Sequence, residues 1–369
     1  MSMDRRDFMA AGAALVSAAA AAPQAAQAAS GKGATARHRR IAIEEAWSIP
    51  EQLDALAALA TGEWDNLDVQ MIDTAGSKSQ GATSKNLMDT EARLAEMDRL
   101  GVDMQILSLT SPGVQLFRKG PAVDLARLAN DRLAEIVRAR PTRFGGLASF
   151  APQDPAAAAK EMERAINELK LHGFVVNSHT HNEYLDDPKF WPILEAAEAL
   201  DRPIYIHPRA PSDGWSHVIG GSHMQAAIWG FAVETGSHAV RMMLNGVFDR
   251  FPKLKIIIGH MGENLPFHLW RTDYWYERRR DSYASKLKPS EIMKRNFFIT
   301  NSGVEHGPAL KYSIDVLGAD RVLWAIDYPY QPMKPAVDFI NSVDISEENR
   351  ALILHKNAEK LFSIPTART

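Results

Sequence analysis

Four ionisable residues that are far apart in the chain each stand at or just after the end of a short apolar run. They are Glu44, His207, His260 and Asp327. Glutamate, histidine and aspartate bind divalent cations through carboxylate oxygens and imidazole nitrogens. Histidine and aspartate can also transfer protons when their surroundings shift their pKa values. The pattern therefore predicts a divalent-cation site, at which His260 and Asp327 could also act as acid or base.

The elements that must bring these residues together are eight unbroken apolar runs, a pattern typical of strands buried on both faces. The runs are 41–43, 105–109, 146–150, 174–176, 204–206, 256–258, 297–300 and 322–326. Segments with helical punctuation, such as the one from Pro121 to Arg140, separate them. Eight alternating units predict an α/β fold of the (β/α)₈ TIM-barrel type, in which chemistry collects at the C-terminal strand ends.

An open doubly wound sheet is the alternative architecture. It requires a glycine-rich phosphate turn after the first strand. The chain has instead Glu44, Glu45, Ala46 and Trp47 at that place. The barrel is therefore favoured, as a single domain over residues 38–364. Residues 48–89 lack clear apolar periodicity and are interpreted as a loop region inserted after the first strand, either a lid over the barrel mouth or a passive surface excursion.

Composition excludes several function classes. The 369 residues carry a net charge of −3, so no electrostatic feature favours nucleic acid or an anionic membrane as a partner. The chain has no cysteine, which excludes thiol catalysis, sulfur-ligated metals and disulfides. Any metal must be held by His, Asp and Glu.

Residues 1–30 are interpreted as a Tat signal peptide and linker. A twin-arginine pair, Arg5-Arg6, precedes an alanine-rich segment from Ala10 to Ala22, and Ala26-Gln27-Ala28 offers a cleavage site. The segment is too short and too weakly apolar to be a membrane anchor. The sequence thus predicts export of the folded protein to the periplasm or beyond, with no membrane attachment after cleavage.

The end of the fourth run indicates how many metals to expect. A carboxylated lysine that bridges two metals would stand there, but the chain has Asn177 and Ser178. One metal is therefore expected. His179 and His181 follow with a spacing that could bind metal, but they lie in a loop rich in Ser, Thr and Asn. They are interpreted as substrate-proximal or solvated residues.

The motifs around these residues resemble the amidohydrolase-related family, which includes aminocarboxymuconate-semialdehyde decarboxylase and the hydroxybenzoate decarboxylases. The resemblance covers residues 40–362 and is carried, in order, by IAIEEAW, QILSLTSPGVQ, IYIHPR, NGVFDRFPKLKIIIGHMGENLPFHLWR, VLWAIDYPY and HKNAEKLF. It implies that the metal ligands are Glu44, His207 and Asp327. It further implies that His260 and Glu263 are the acid–base pair and that Arg271 anchors the substrate.

The chain departs from most of that superfamily at Ala46, where a second nitrogen ligand is usual. A methyl group cannot bind metal, so the site is richer in oxygen and is expected to favour Mg²⁺ or Mn²⁺ over Zn²⁺. The 2,3-dihydroxybenzoate decarboxylase-like members are similar in having Glu-Glu-Ala.

The resemblance implies that the protein catalyses nonoxidative decarboxylation of a hydroxylated aromatic acid. It also implies that the protein is a homodimer or homotetramer. In that reaction Asp327 would protonate the ring carbon that bears the carboxylate, and Trp47 or Trp64 could stack on the ring. Two alternatives stay open. The first is hydrolysis of a lactone, ester or amide by metal-bound water. The second is a binding protein on an inactive barrel.

Overall fold

The structure, a computed structural model, describes residues 37–60, 67–69, 82–220 and 223–366. The predicted signal peptide and Trp64 lie outside these residues. From His38 onward the chain forms one compact unit. Within the described residues, none of the helices combines the length and the apolar character needed to span a bilayer.

Eight parallel strands form the sheet, and each pairs with the next along the chain. They are β1 Ile41–Trp47, β2 Met104–Leu109, β3 Phe144–Ser149, β4 Gly173–Asn177, β5 Ile204–His207, β6 Ile256–Ile258, β7 Phe297–Thr300 and β8 Val322–Leu323. All eight apolar runs become strands, because runs of β-branched and aromatic residues suit a sheet covered on both faces. The predicted (β/α)₈ barrel is confirmed.

The barrel closes at the seam between β1 and the chain that continues from β8. Three backbone N–H groups donate across it: Ile43 to Trp324 O at 3.2 Å, Asp327 to Glu44 O at 3.0 Å, and Ala46 to Tyr328 O at 2.8 Å. Glu44 and Asp327, two of the predicted metal ligands, therefore face each other across the seam.

Helices cover the outside of the barrel, and the predicted ones are present with boundaries shifted by a few residues. The helices of eight residues or more are Pro50–Ala60, Thr90–Leu100, Lys119–Ala139, Pro155–Asn167, Trp191–Ala199, Gly230–Leu244, Leu265–Arg278, Pro289–Asn296, Gly307–Leu317 and Met333–Ser342. Shorter ones are Ala82–Met88, Ser216–Ile219, Val247–Arg250, His260–Glu263, Glu347–Ala351 and Asn357–Phe362. A π-helical turn, Leu352–Lys356, joins the last two into one continuous helical segment.

The inserted region after β1 contains more regular structure than its sequence predicted. Helices Pro50–Ala60 and Ala82–Met88 lie within it. Gln52 Nε2 donates to Thr110 O at 2.9 Å, beside the end of β2. Arg209 Nε donates to Asp68 Oδ2 at 3.1 Å, just after the end of β5. The described parts of the insertion are thus bound to two loops at the barrel mouth.

A buried polar network holds the loop after β4 against helix Gly230–Leu244. The backbone N–H of Leu185 donates to His238 Nε2 at 3.0 Å, and His238 Nδ1 lies 3.2 Å from Ser178 Oγ. Burial, with a smaller effect of the Arg241 charge, lowers the pKa of His238 to about 3. This histidine is therefore neutral in the folded protein near neutral pH.

We expect His238 to make the stability of the protein depend on pH. Below the ordinary histidine pKa of about 6.5, the unfolded chain takes up a proton that the folded chain does not, so the free energy of unfolding falls as the pH drops toward 3. Between pH 7.5 and 5.5, the wild-type protein should lose free energy of unfolding. Replacing His238 by Gln should reduce this loss by about 1.4 kcal/mol, measured by urea denaturation. The control His268→Gln removes an exposed histidine and should keep the wild-type loss. Equal losses in wild type and His238→Gln would refute the assignment.

Candidate metal and acid–base site

A β-bulge in β1 turns Glu44 into the barrel. Ile41 pairs with Met104 and Ala42 with Gln105, but the next pair is Glu45 with Leu107, so the register shifts between them. Because of this extra residue, Ile43 and Glu44 both face inward and Glu45 faces outward. Simple alternation from Ile41 and Ile43 would have placed Glu44 outside the barrel.

The two carboxylate oxygens of Glu44 have different surroundings. Oε2 accepts a hydrogen bond from Thr300 Oγ1 at 2.9 Å and another from Ser302 Oγ. Oε1 is buried and has no hydrogen-bond donor among the described residues. It lies 3.4 Å from His207 Nε2 and 3.4 Å from His260 Nε2. A buried anionic oxygen left in this way is costly unless a cation approaches it.

His207 presents a free nitrogen lone pair to the same point. Its Nδ1 lies 2.8 Å from Pro208 O and 3.1 Å from Asn177 Oδ1. Both partners are acceptors, so Nδ1 carries the hydrogen and Nε2 is the unprotonated nitrogen that a metal requires. Burial, only partly offset by the charge of Glu44, lowers the pKa of His207 and keeps it neutral.

Asp327 completes the group of possible ligands. One donor atom each from Glu44, His207 and Asp327 lie within 4.8 Å of one another. Burial and the nearby charge of Glu44 raise the pKa of Asp327 to about 8. The residue has a φ of 74°, in the left-handed region that only glycine, asparagine and aspartate adopt readily.

His260 and Glu263 lie beside this group on a sharp turn after β6. His260 Nδ1 donates to Glu263 Oε1 at 2.6 Å, which leaves Nε2 facing Glu44. Burial alone would lower the pKa of His260, but the charges of Glu44 and Glu263 outweigh it and raise that pKa to about 10. The preceding Gly259 permits the close approach of this turn to Glu44, because a Cβ at position 259 would lie 3.0 Å from both carboxylate oxygens of Glu44.

Comparison with known proteins identifies the family. The sequence profile of the amidohydrolases matches residues 82–364. The chain belongs to the amidohydrolase family. This amidohydrolase is 36% identical over 337 residues to gamma-resorcylate decarboxylase of Polaromonas sp., with 88% of this chain and 98% of that protein covered. The predicted resemblance is thereby confirmed.

Solved structures of other amidohydrolases are similar over nearly the whole barrel. The 5-carboxyvanillate decarboxylase of Sphingomonas paucimobilis is 50% identical with a TM-score of 0.87, and the match covers 89% of this chain and 100% of that one. The enzyme of the same name from Novosphingobium aromaticivorans is 38% identical with a TM-score of 0.85, covering 88% and 96%. That second structure contains manganese and 4-hydroxy-3-methoxy-5-nitrobenzoic acid.

The donor set of this amidohydrolase fits one divalent cation. It offers an unpartnered buried oxygen of Glu44, the lone pair of His207 Nε2 and the carboxylate of Asp327. The end of β4 supplies Asn177, whose side chain orients His207. Among the described residues, this is the one group of three or more His, Asp or Glu side chains placed to hold a metal.

Of the predicted substrate residues, Trp47 lies away from this site. Trp47 pairs in register with Leu109, is 2% exposed and packs in the layer between the strands and the helices. The ring therefore lies outside the barrel, because the bulge fixes Trp47 on the same face as Glu45. Arg271 is exposed on helix Leu265–Arg278 and forms no hydrogen bond or ion pair with another described residue. Trp64 lies outside the described residues.

The two loop histidines differ in burial but both contact neighbouring loops, His179 as a buried residue and His181 as an exposed one. His179 is buried, and its Nε2 lies 3.1 Å from Ala210 O. His181 Nε2 lies 3.1 Å from Phe117 O. Both rings bind backbone carbonyls of neighbouring loops, so the histidines hold those loops together.

Sequence reasoning missed the hydroxyl groups that surround Glu44. Thr300 and Ser302 donate to its Oε2, and the hydroxyl of Tyr205 lies 3.4 Å from Thr300 Oγ1. Thr300 is the last residue of the β7 run, so the strand-end rule would have found it if hydroxyl side chains had been considered together with ionisable ones. Tyr205 stands within the β5 run, where an inward-facing phenol cannot be told from an ordinary core residue.

Proposed function

We propose that the protein is a metal-dependent nonoxidative decarboxylase of a hydroxylated aromatic carboxylic acid. The observation that carries this proposal is the convergence of Glu44, His207 and Asp327 to within 4.8 Å, with His260 facing the same carboxylate. The named decarboxylases to which the chain is 36–50% identical act on hydroxybenzoate-type acids, which supports this reading over hydrolysis.

Glu44, His207 and Asp327 are proposed to hold the cation. Two of the three donors are carboxylates, and Ala46 offers no nitrogen, so the hard ions Mg²⁺ and Mn²⁺ suit the site better than Zn²⁺. When bound, such an ion neutralises the negative charge of a substrate carboxylate and of an adjacent phenolic oxygen. The manganese in the Novosphingobium relative supports Mn²⁺.

Asp327 is proposed to deliver the proton of the reaction. Burial and the charge of Glu44 raise the pKa of Asp327 to about 8 in the metal-free protein. A bound cation would lower that pKa, and the negative charge of the bound substrate would oppose this, so that the carboxyl group can carry the proton a general acid must give. The proton bonds to the ring carbon that bears the carboxylate. The bond from that carbon to the carboxylate then breaks, its electron pair returns to the ring, and carbon dioxide leaves. The Asp327 carboxylate regains a proton from solvent.

The pair of His260 and Glu263 is proposed to hold the phenolic oxygen of the substrate. Glu263 fixes the imidazole through Nδ1, so Nε2 carries the other proton when the ring is charged and can donate it to an anionic oxygen. The pKa of about 10 means that His260 is charged at neutral pH. A positive ring at this place balances a phenolate.

The substrate is proposed to carry a hydroxyl group ortho to the departing carboxylate. The substrates named for the relatives, gamma-resorcylate and 5-carboxyvanillate, share this arrangement. The relative with 50% identity acts on 5-carboxyvanillate, so a methoxylated phenol with two carboxylates is the first compound to try.

We expect a metal chelator to abolish carbon dioxide release and Mn²⁺ or Mg²⁺ to restore it. The assay measures carbon dioxide and the decarboxylated phenol from 5-carboxyvanillate, gamma-resorcylate and 2,3-dihydroxybenzoate, with aryl lactones and esters tested in parallel. Hydrolysis of a lactone or ester without any release of carbon dioxide would overturn the decarboxylase and support the hydrolase. Full activity in metal-free protein would contradict the proposed role of Glu44, His207 and Asp327 as ligands of a catalytic metal.

We also propose that the chain is exported through the Tat pathway. The twin-arginine pair Arg5-Arg6 and the alanine-rich segment after it support this proposal. Replacing both arginines by lysine should leave the protein in the cytoplasmic fraction of the expressing cells, measured by fractionation. Unchanged export of that variant would contradict it.

A homo-oligomer is proposed as the working form. Exposed aromatic side chains on helix Leu265–Arg278 and on the neighbouring helix support it, namely Phe267, Trp270, Trp275 and Tyr312. Aromatic groups clustered on a surface are typical of protein interfaces. The molar mass in solution tests this proposal, and the mass of a single chain at micromolar concentration would contradict it.

A further inference from the structure

The barrel seam is the place where the geometry of the metal site is least secured by the sheet itself. Strand β8 contributes only Val322 and Leu323 to the regular pairing. Glu44 and Asp327 lie on opposite sides of this seam, and the backbone N–H of Asp327 donates to Glu44 O at 3.0 Å. Any opening of the seam would separate these two carboxylates.

Glu45 spans the seam from the outer side. Its Oε1 accepts a hydrogen bond from the backbone N–H of Ile326 at 3.0 Å, directly before Asp327. The side chain is fully buried, and its Oε2 has no hydrogen-bond donor among the described residues. A buried oxygen in this state is costly, because it has lost its hydration without gaining a hydrogen bond.

Arg93, from helix Thr90–Leu100, contacts both sides of the seam. It is fully buried, and one terminal nitrogen donates to Ala46 O at 2.6 Å. The other terminal nitrogen donates to Gln105 Oε1 at 3.2 Å on β2. The guanidinium lies over the Tyr328 ring, 4.6 Å from its centre. Arg93 therefore touches β1 two residues after Glu44 and the other side of the seam one residue after Asp327.

Stability alone does not explain two buried ionisable side chains, Glu45 and Arg93, at this place. Replacing a buried pair by apolar side chains of similar volume is often neutral or stabilising, because both charges lose their hydration on burial. The same helix packs against the barrel with Leu94 and Met97, which involve no such cost.

We propose that Glu45 and Arg93 form a brace across the seam, and that these two positioning residues set the separation of Glu44 and Asp327 and hence the affinity for the divalent cation. This inference rests on the metal site of the proposed function and adds the residues that control it from outside the barrel. Neither side chain touches the metal or the substrate.

The direction in which one substitution changes the Kd for Mn²⁺ distinguishes a positioning role from a purely electrostatic one. Replacing Arg93 by Met removes a positive charge near the site, and Coulomb's law alone predicts tighter binding of a cation. Loss of the alignment between Glu44 and Asp327 predicts weaker binding of the cation. We expect Arg93→Met to raise the Kd for Mn²⁺ by about 10–100-fold, the usual effect of removing a residue that orients metal ligands. The Kd is measured from the electron paramagnetic resonance signal of free Mn²⁺, without substrate.

The matched control is Arg40→Met. Arg40 is also a buried arginine, immediately before β1, but at the end of the strand away from the site, where it donates to Gly101 O at 3.0 Å. This variant should lose stability and keep the wild-type Kd within about twofold. Arg93→Lys keeps the positive charge but replaces the two terminal nitrogens of the guanidinium by a single ammonium group. We therefore expect a Kd between those of wild type and Arg93→Met. That variant tests the brace even if Arg93→Met does not fold.

Four outcomes would overturn the brace. They are tighter Mn²⁺ binding by Arg93→Met, a wild-type Kd in Arg93→Lys, an equal loss in Arg40→Met, and no Mn²⁺ binding by the wild type. A wild-type protein that binds Mn²⁺ but releases no carbon dioxide from any acid contradicts the proposed function and leaves the brace standing. The two proposals therefore fail separately.

Discussion

Asp327→Asn is expected to lower kcat by about 10²–10⁴-fold, the usual contribution of a positioned general acid. Asparagine keeps an oxygen that can bind the cation but has no proton to give to the ring carbon. The left-handed backbone at this position, with a φ of 74°, suits asparagine as well as aspartate, so the turn should not rearrange. The loss should therefore appear in kcat, while Mn²⁺ at a saturating concentration still occupies the site.

The measurement is the rate of carbon dioxide release at saturating substrate and saturating Mn²⁺, together with the metal content of the variant. Asp201→Asn is the matched control, since Asp201 also has a positive φ, of 54°, and pairs with Lys255 on the surface. This control should keep the wild-type kcat. A kcat of Asp327→Asn within about threefold of wild type would assign the proton to another group.

The eight strands and the convergence of the candidate ligands could be predicted because both follow from a simple rule. Apolar runs separated by helices give a parallel barrel, and the residue after each run then lies at the same rim. The rule needs no knowledge of side-chain contacts. It therefore placed Glu44, His207, His260 and Asp327 together even though each of them separately resembles an ordinary loop residue.

That rule could not predict local irregularities of the strands, such as the β-bulge in β1. The bulge that turns Glu44 inward has no glycine or proline to mark it, since it occurs inside IAIEEAW. The same bulge decides the position of Trp47, because an inward Glu44 implies an outward Trp47 three residues later. A tryptophan next to a metal ligand suggests a stacking platform, but the pleat of the strand places it in the core instead.

Arg93 shows why buried charges escape sequence patterns. It stands in a helix whose charged residues otherwise face solvent, and periodicity assigns an arginine to the polar face by default. Only the structure shows that its partner, Glu45, is buried at the seam. The segment 48–89 was misjudged for a related reason: helix Pro50–Ala60 buries Gln52 together with Leu53 and Leu56, so polar and apolar residues share its inner face.

Glu44→Gln is expected to abolish metal binding almost completely, with a rise of Kd for Mn²⁺ on the order of 10³-fold, because ligand charge tunes such sites over many decades. The buried Oε1 of Glu44 has His207 and His260 as its neighbours and no donor to satisfy it. An amide at this place carries no charge, so the cation gains too little to leave water. Carbon dioxide release should be lost in parallel.

The thermal stability of the variant gives an independent readout with a definite sign. A cation that binds only the folded state stabilises it by about 2.7 kcal/mol at a concentration of 100 times Kd. Wild type should therefore show a higher Tm in Mn²⁺ than in chelator, and Glu44→Gln should show the same Tm in both. Without metal, the variant should be less stable than wild type, because the charge of His260 and the hydroxyl donors stabilise the ionised Glu44 and lower its pKa.

The matched control for Glu44→Gln is Glu161→Gln, since Glu161 is also buried but pairs with Arg164 among the outer helices. This control should lose stability under both conditions and keep the Mn²⁺-dependent rise in Tm. Because loss of a buried carboxylate is common to both variants, only the position of Glu44 can account for a difference in their response to Mn²⁺. A normal rise in Tm for Glu44→Gln would mean that the cation binds elsewhere, and that the carboxylate of Glu44 is held in the barrel by its hydroxyl donors alone.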